Sequence, residues 1–409
     1  MKTISLKYVA RINAGQSPPS AEVADLVAGR PFLQGNAEFG AVHPTARHQC
    51  DTAPKVASVG DVLLSVRAPV GALNIADVPY GIGRGLCAVT PEDCDPRFLW
   101  WWLHQARPRL DAVSTGTTYR AVTAEDVGAL AYPVLSRDEQ RRIADFLDVE
   151  ISRIDRIVFA KEKASARIDE RRVSLISQFC LRGLGGDYSL RDSGIDPLGP
   201  VPEHWAVTRN KNFMREIVDL SEDGEEELLT VSHLTGVTPR SEKNVFMFKA
   251  ESMVGYKVCR PGDLVINTLW AWMGALGVSN HEGIVSPAYG VYRFTSQDMV
   301  PEYFDLLYRT PEYVCEMTRY SKGVWTSRLR LYPESFLALS APVPPRDEQA
   351  EIVRTVEREV QPGTRLQNAI RRSNALLTER RQALITAAVT GQFDVSTASG
   401  RNVTEGITA

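Results

Sequence analysis

The tetrapeptide Arg-Asp-Glu-Gln occurs twice, at Arg137–Gln140 and at Arg346–Gln349, an offset of 209 residues. Each copy opens a long stretch with helical period. After the first, Ile143, Leu147, Ile151, Ile154, Val158, Ile168, Leu175 and Phe179 fall on one face, interrupted by Lys161, Ser165 and Arg172. No proline interrupts Asp138 to Arg182, so a single helix here would span about 70 Å at 1.5 Å per residue. After the second copy, Ile352, Val356, Val360, Leu366, Ile370, Leu377 and Leu384 repeat the stripe. The interruptions recur too, Ser165 and Arg172 matching Asn374 and Arg381, and Glu170-Arg171-Arg172 returns as Glu379-Arg380-Arg381. Both stretches stop near a glycine, Gly183 and Gly391, as helix C-termini do. One register held over both segments marks them as duplicates. The one departure is Pro362-Gly363, where proline cannot donate its helical hydrogen bond. A kink or short break is expected there, with a new helix starting near Thr364.

The segments ahead of each helix also correspond. "GDVLLSVRAPVGALNI" (Gly60 to Ile75) aligns with "GDLVINTLWAWMGALGV" (Gly262 to Val278), each a turn, an apolar strand, an irregular loop and a second strand. "RFLWWWLHQ" pairs with "EYFDLLYRT" as an apolar helix, and "STGTTYRAVTAEDVGAL" with "SKGVWTSRLRLYPESFLAL". The offset wanders between 202 and 209, so the halves share a scaffold but not their loops. The expected class is α+β: two mixed globules, 1–136 and 206–345, alternate with two long helices, 137–183 and 346–392. Residues 184–205, rich in Gly, Pro and Asp, read as a linker, and the small polar tail 393–409 as disordered.

A striped helix must bury its stripe, and its duplicate offers the matching surface. An antiparallel coiled coil would set the globules at opposite ends about an approximate two-fold axis; a parallel pair stays open. Duplex DNA has local two-fold symmetry of its own, and dimeric readers use it to bind two half-sites. Two covalently joined readers with unlike loops would suit two unlike half-sites with an unread gap, the helices acting as a ruler. Bulk charge does not argue for nucleic acid, because the net charge is −3. Binding would rest on local Arg and Lys. Six scattered cysteines without a C-x-x-C pair suit reduced thiols in the cytoplasm, and no run reaches the roughly 18 apolar residues of a membrane span.

The tandem order, Pro-x-x-x-Arg-Asp-Glu-Gln leading into each helix (from Pro133 and Pro342), "ERRQALITAAVTGQFDV" and "GPVPEHWAV" together resemble the DNA-specificity subunit of type I restriction-modification systems. The resemblance covers nearly the whole chain. It departs from the pattern in the first half, which lacks a Pro-x-x-Trp like Pro202 to Trp205 and has Leu135-Ser136 where the second has Pro344-Pro345. The resemblance implies that each globule is a target recognition domain and that the helices form an antiparallel spacer. Two methyltransferase subunits would dock on that spacer and two motor-nuclease restriction subunits would join for cleavage. S-adenosylmethionine, ATP and Mg would sit on those partners, none on this chain, and the target would be double-stranded DNA.

The resemblance supplies domains, not base contacts, so these are chosen by chemistry. Arg, Lys, Asn, Gln, Ser and Thr read base edges, and Arg or Lys clamp phosphates. The first globule offers Thr117, Thr118, Tyr119 and Arg120 in a Gly-led loop; the second offers Lys322, Trp325, Thr326, Ser327, Arg328 and Arg330 at the matching place. Arg67 and the Trp270/Trp272 loop form another matched position, where alternation predicts one tryptophan in the core and one outside. Any one such Arg, taken alone, is more often a solvated charge. Arg171, Arg172, Arg380 and Arg381 suit subunit docking, or plain salt-bridged helix surface. The Trp100–Leu103 run reads as core. Enzyme motifs are missing: no Asn-Pro-Pro-Tyr type tetrapeptide, no Walker A lysine, and a Gly81–Gly85 run that lacks the strand-to-helix frame of a cofactor turn. His43, His48 and Cys50 lack a fourth zinc ligand at usual spacing. The expected function is therefore a non-catalytic, sequence-specific DNA-binding and assembly subunit. The alternatives are a self-contained restriction-methylation enzyme and a coiled-coil scaffold that binds no DNA.

Overall fold

The computed structural model describes residues 2–113, 121–185, 188–242, 252–325 and 328–395. It divides into two compact units, Met1–Lys161 with Arg371–Ala409, and Glu162–Ile370. Each unit holds one β-rich globule and half of each long helix. The central helix is Arg137–Arg182 and the distal helix Arg346–Val389.

In the first unit an antiparallel sheet runs in the order Ala10–Ala14, Leu86–Pro91, Val62–Ser65, Leu73–Ile75. A strand pair, Thr3–Ser5 with Ala131–Pro133, leads into the central helix. The second unit repeats this plan with Met214–Glu216, Tyr289–Phe294, Leu264–Asn267, Leu276–Val278 and the pair Ala206–Arg209 with Ser340–Val343. The additions differ. The first globule carries a five-stranded mixed sheet built on Phe32 and Tyr80, the second two separate two-stranded ladders.

The helix halves within each unit run antiparallel. In the first, the Phe146 and Phe393 rings meet at a tilt with centroids 5.5 Å apart, Asp155 meets Arg381 at 3.5 Å, and Lys161 meets Ser373. Partner numbers fall as central-helix numbers rise. In the second, Ser165 accepts from Gln367 at 3.2 Å through its carbonyl, and a Cβ placed on Gly363 would stand 2.9 Å from Ile168 Cγ2. Ile143, Leu147, Ile151 and Ile154 are buried with Leu384, Ile385 and Val389; Cys180 and Leu181 are buried with Ile352 and Val356.

Three expectations change. The distal helix does not break at Pro362-Gly363: it is one helix, and no new helix starts at Thr364. Gly363 lets the partner helix approach closely there. The facing positions are Gly363, Gln367 and Ile370, at steps of four and three, so Leu366 lies off the seam and is exposed. Residues 184–205 are not a bare tether. Leu190–Asp192 pairs with Pro200–Pro202, and Ile195, Leu198, Val201 and Trp205 are buried in the second core. Composition signals turns there, but four large apolar side chains supply enough buried surface to fold the segment. At the far end Phe393 and Val395 pack on the first core, while 396–409 lie outside the described residues.

The repeated tetrapeptide is what ties globule to helix. Gln140 is buried, and its Oε1 accepts from Asp95 N at 2.8 Å while its Nε2 donates to Leu135 O at 3.0 Å. Gln349, fully buried, accepts from Val300 N at 2.8 Å and donates to Pro344 O at 2.8 Å and Asp298 O at 3.1 Å. Asp95 and Val300 each stand just before the proline that opens a globule helix, Pro96–Val113 and Pro301–Tyr308. The arginines act alike: Arg137 donates to Glu92 O at 3.1 Å and Arg346 to Gln297 O at 2.9 Å, each three residues ahead of that same position. The glutamates diverge. Glu139 closes a cap on Ser136, whose hydroxyl and N–H hold its carboxyl below the ordinary range. Glu348, with Pro345 at the matching place, instead meets His204 at 2.9 Å.

Gln349→Leu keeps the bulk but strips partners from three backbone groups, one buried and two partly buried, at about 1 kcal/mol each. Urea unfolding should show a loss of roughly 3 kcal/mol; an unchanged midpoint would show that the glutamine does not clamp.

Candidate nucleic-acid interface

In both globules the strand after the Gly-Asp turn ends in a loop, and a second loop comes from just before the short helix preceding the final strand. A matched backbone bond joins the two loops in each unit. Val122 N donates to Val66 O at 3.0 Å in the first, and Leu331 N to Thr268 O at 3.0 Å in the second. Val66 and Thr268 are each the first residue past the matched strand, Val62–Ser65 or Leu264–Asn267. The loops paired by alignment are therefore paired in space, and this is the site's frame.

In the first globule Arg67 is exposed and bridges Ala121 in antiparallel fashion, while its carbonyl accepts from Ser65 Oγ at 2.8 Å. Thr123 caps the helix Ala124–Ala129 through a reciprocal pair with Asp126, which fixes the far end of the loop. Thr117, Thr118, Tyr119 and Arg120 lie outside the described residues.

The second globule is more fully drawn. Lys322 and Arg330 exchange both backbone bonds at 2.9 Å, closing a narrow loop with Trp325 and Arg328 exposed on it. Lys322 Nζ and Arg330 Cζ lie 5.8 and 5.6 Å from the centroid of the Tyr332 ring. Thr268, itself buried, donates its hydroxyl to Ala288 O at 2.7 Å and accepts from Arg330 Nε at 3.4 Å. Thr326 and Ser327 are outside the described residues. The tryptophan expectation is corrected: Trp270 is exposed, Trp272 is half-buried, and neither enters the core. Ala271 is the buried member, because a single 3-10 turn over Ala271–Met273 replaces the strand alternation assumed from sequence. The Trp101 and Trp102 rings are core, as expected, with Trp100 partly buried against them. Thr268 and Tyr332 were not among the sequence choices; the signal for Thr268 was its match to Val66 at a strand end.

The helix arginines separate. Arg381 is held by Asp155 at 3.5 Å. The position matching Asp155 in the repeat is Thr364, so Arg172 has no equivalent acid. Arg171, Arg172 and Arg380 make no ion pair among the described residues. Arg172 lines a cavity of about 580 Å³ in the second unit with Val173, Ile176, Glu357 and Arg309. In that wall burial pushes the Asp305 carboxyl up, opposed by Arg309 at 3.7 Å. His43 bonds to Ile75 O, and no cluster able to hold a metal ion occurs among the described residues. No helix among them is long and apolar enough to cross a membrane.

Residues 1–158 match the family model described as the Type I restriction modification DNA specificity domain. Over 169 residues the chain is 34% identical to a putative type I restriction enzyme MjaX specificity subunit of Methanocaldococcus jannaschii. That match covers 41% of this chain and 39% of the relative, well under half of the relative's length. A solved chain from work on complex assembly and conformational transition of the type I R-M system superposes with a TM-score of 0.69. It is 18% identical, with 95% of this chain and 97% of that chain covered, a likeness of fold.

Thr268→Val removes the donor to Ala288 O and the acceptor for Arg330. We expect a loss of about 1–2 kcal/mol in denaturant unfolding and faster hydrogen exchange at the Leu331 amide. Unchanged exchange would show that the loops are joined without this hydroxyl.

Proposed function

We propose that this chain, whose residues 1–158 match the type I restriction modification DNA specificity domain, is a specificity subunit of that kind and that each globule reads one half of a bipartite, asymmetric, gapped DNA target. The paired helices then carry the methyltransferase subunits. The observation that supports this most is the repeated frame. The same backbone bond joins the same two loops in both units, while most of the residues on those loops differ, Arg67-Ala68-Pro69 standing against Leu269-Trp270-Ala271. A shared scaffold with unlike tips is what two unlike half-sites require.

In the first globule Arg67 and the loop of Thr117, Thr118, Tyr119 and Arg120 make the contacts. In the second, Trp270, Lys322, Trp325, Thr326, Ser327, Arg328 and Arg330 do so. Arg and Lys neutralise phosphates and can read guanine edges; Thr, Ser and Tyr add hydrogen bonds. Arg171, Arg172 and Arg380 offer cations to a docking partner, and Arg381 does so after parting from Asp155, a surface pair worth under about 1 kcal/mol. The chain is not an enzyme in this reading. Two methyltransferase subunits supply the transfer from S-adenosylmethionine, and two restriction subunits, where joined, use ATP and Mg.

The test is reconstitution. The purified chain alone should transfer no methyl group, and adding its cognate methyltransferase should methylate adenines in a gapped motif. Arg120→Ala and Arg328→Ala should each weaken binding by about 1–3 kcal/mol, in different half-sites of the footprint. Methyl transfer by the lone chain, or an unchanged footprint for both variants, would contradict the assignment. A complex with no sequence-dependent gel shift would favour the scaffold reading.

A further inference from the structure

We propose that the second globule reads its half-site by stacking at a place where the first globule has no aromatic residue. In this proposal the Trp270–Trp272 pair, with Leu269, presses on a base step and unstacks it, while Lys322, Arg328 and Arg330 hold the flanking phosphates. The inference rests on the DNA-reading role proposed above and specifies how one half of it works.

Exposed apolar side chains cluster on these two loops: Leu269 at 43%, Trp270 at 50%, Val324 at 90% and Trp325 at 67% of their full accessibility. Single exposed apolar residues are ordinary on a protein surface, but four on two loops joined at Thr268 and Leu331 are a concentration that points to a partner. Nor is the tryptophan loop slack. Trp270 N donates to Asn267 O at 2.9 Å, Met273 N to Trp270 O at 3.0 Å, and Leu269 N to Asn267 Oδ1 at 3.2 Å. Trp272 Nε1 donates to Leu269 O at 3.1 Å, which fixes the ring on which Trp270 stacks, 6.5 Å away and 22° from parallel. Gly274 closes the turn at φ 77°, a conformation that favours glycine. A fold that spends this many bonds on presenting a half-exposed indole presents it preorganised.

The neighbours identify the partner's chemistry. Arg330 reaches Thr268, the residue before Leu269, and shares the Tyr332 ring with Lys322. A flat apolar face beside a cation cluster complements a base plane flanked by phosphates. At the matched place the first globule has Arg67-Ala68-Pro69 and no aromatic residue between Gly60 and Ile75. Its reading there is by charge and hydrogen bond. The flexible pyrimidine–purine steps are the ones that yield most readily to such a wedge.

The test uses the full chain bound to its cognate methyltransferase, with 2-aminopurine placed at each position of the target duplex in turn. Wild type should raise the fluorescence at adjacent positions of one half-site only. Trp270→Ala should abolish that rise and weaken target binding tenfold or more, with the slope of log K against log salt unchanged. Trp270→Phe should keep the rise, and an unchanged unfolding midpoint of Trp270→Ala excludes misfolding as the cause. Lys322→Ala should keep the rise while reducing the salt slope by about 1. A rise that survives in Trp270→Ala overturns the proposal, as does a Trp270→Ala variant that loses only its grip on the methyltransferase. A wild-type complex with no sequence preference overturns the DNA-reading role itself.

Discussion

Two buried glutamines hold this protein's design together. Gln140 and Gln349 each accept from the N–H that precedes a globule helix and donate to a carbonyl five residues back, just ahead of the long helix. An amide can do both at once, and both glutamine side chains are buried where they do so. The arginine three residues earlier adds a bond to the same turn of the globule. Each globule is thus fixed to its helix by the same few atoms, and whatever its loops present is presented from a set position. Duplication preserved this joint while the loops diverged.

The scaffold was legible because it is periodic. A stripe of eight apolar residues and its copy 209 positions on cannot both be accidents, and burying them calls for pairing; the antiparallel sense of the helix halves in each unit was one of two arrangements the stripes left open. The joint was half legible. Asp138 and Glu139 suit a helix N-terminus by charge, yet the parts kept in both copies are the arginine and the glutamine, whose partners lie about 45 residues upstream and leave no local trace. Pro362 misled for a related reason. Proline removes one bond from a helix, but a seam that closes on Gly363, Gln367 and Ile370 supplies enough packing to carry the helix through. The buried stretch from Ile195 to Trp205 was read from its glycines and prolines, and its spaced apolar residues outweighed them.

The candidate interface was legible as places and not as contacts. Alignment picked both loop pairs, and a matched backbone bond joins each. It could not see that Thr268 and Tyr332 organise the second pair, since a hydroxyl and a ring gain meaning only from neighbours remote in sequence. Trp270 shows the limit well. Alternation placed one indole inward, but a 3-10 turn set Ala271 inward and left both rings at the surface side. Local geometry overrode a two-residue pattern. The helix arginines show the same thing from the other side, because Arg172 and Arg381 match in sequence and differ in charge environment through one exchange, Asp155 against Thr364.

Two unlike readers on one repeated frame, as proposed, would impose one unlike pair of half-sites on their partners. Mapping methylated adenines across the genome of cells with and without this chain tests that claim most directly. Loss of the chain should remove methylation from a single asymmetric motif whose two parts are separated by a fixed unread gap. Methylation that persists unchanged, or a lost motif that is continuous or palindromic, would contradict it.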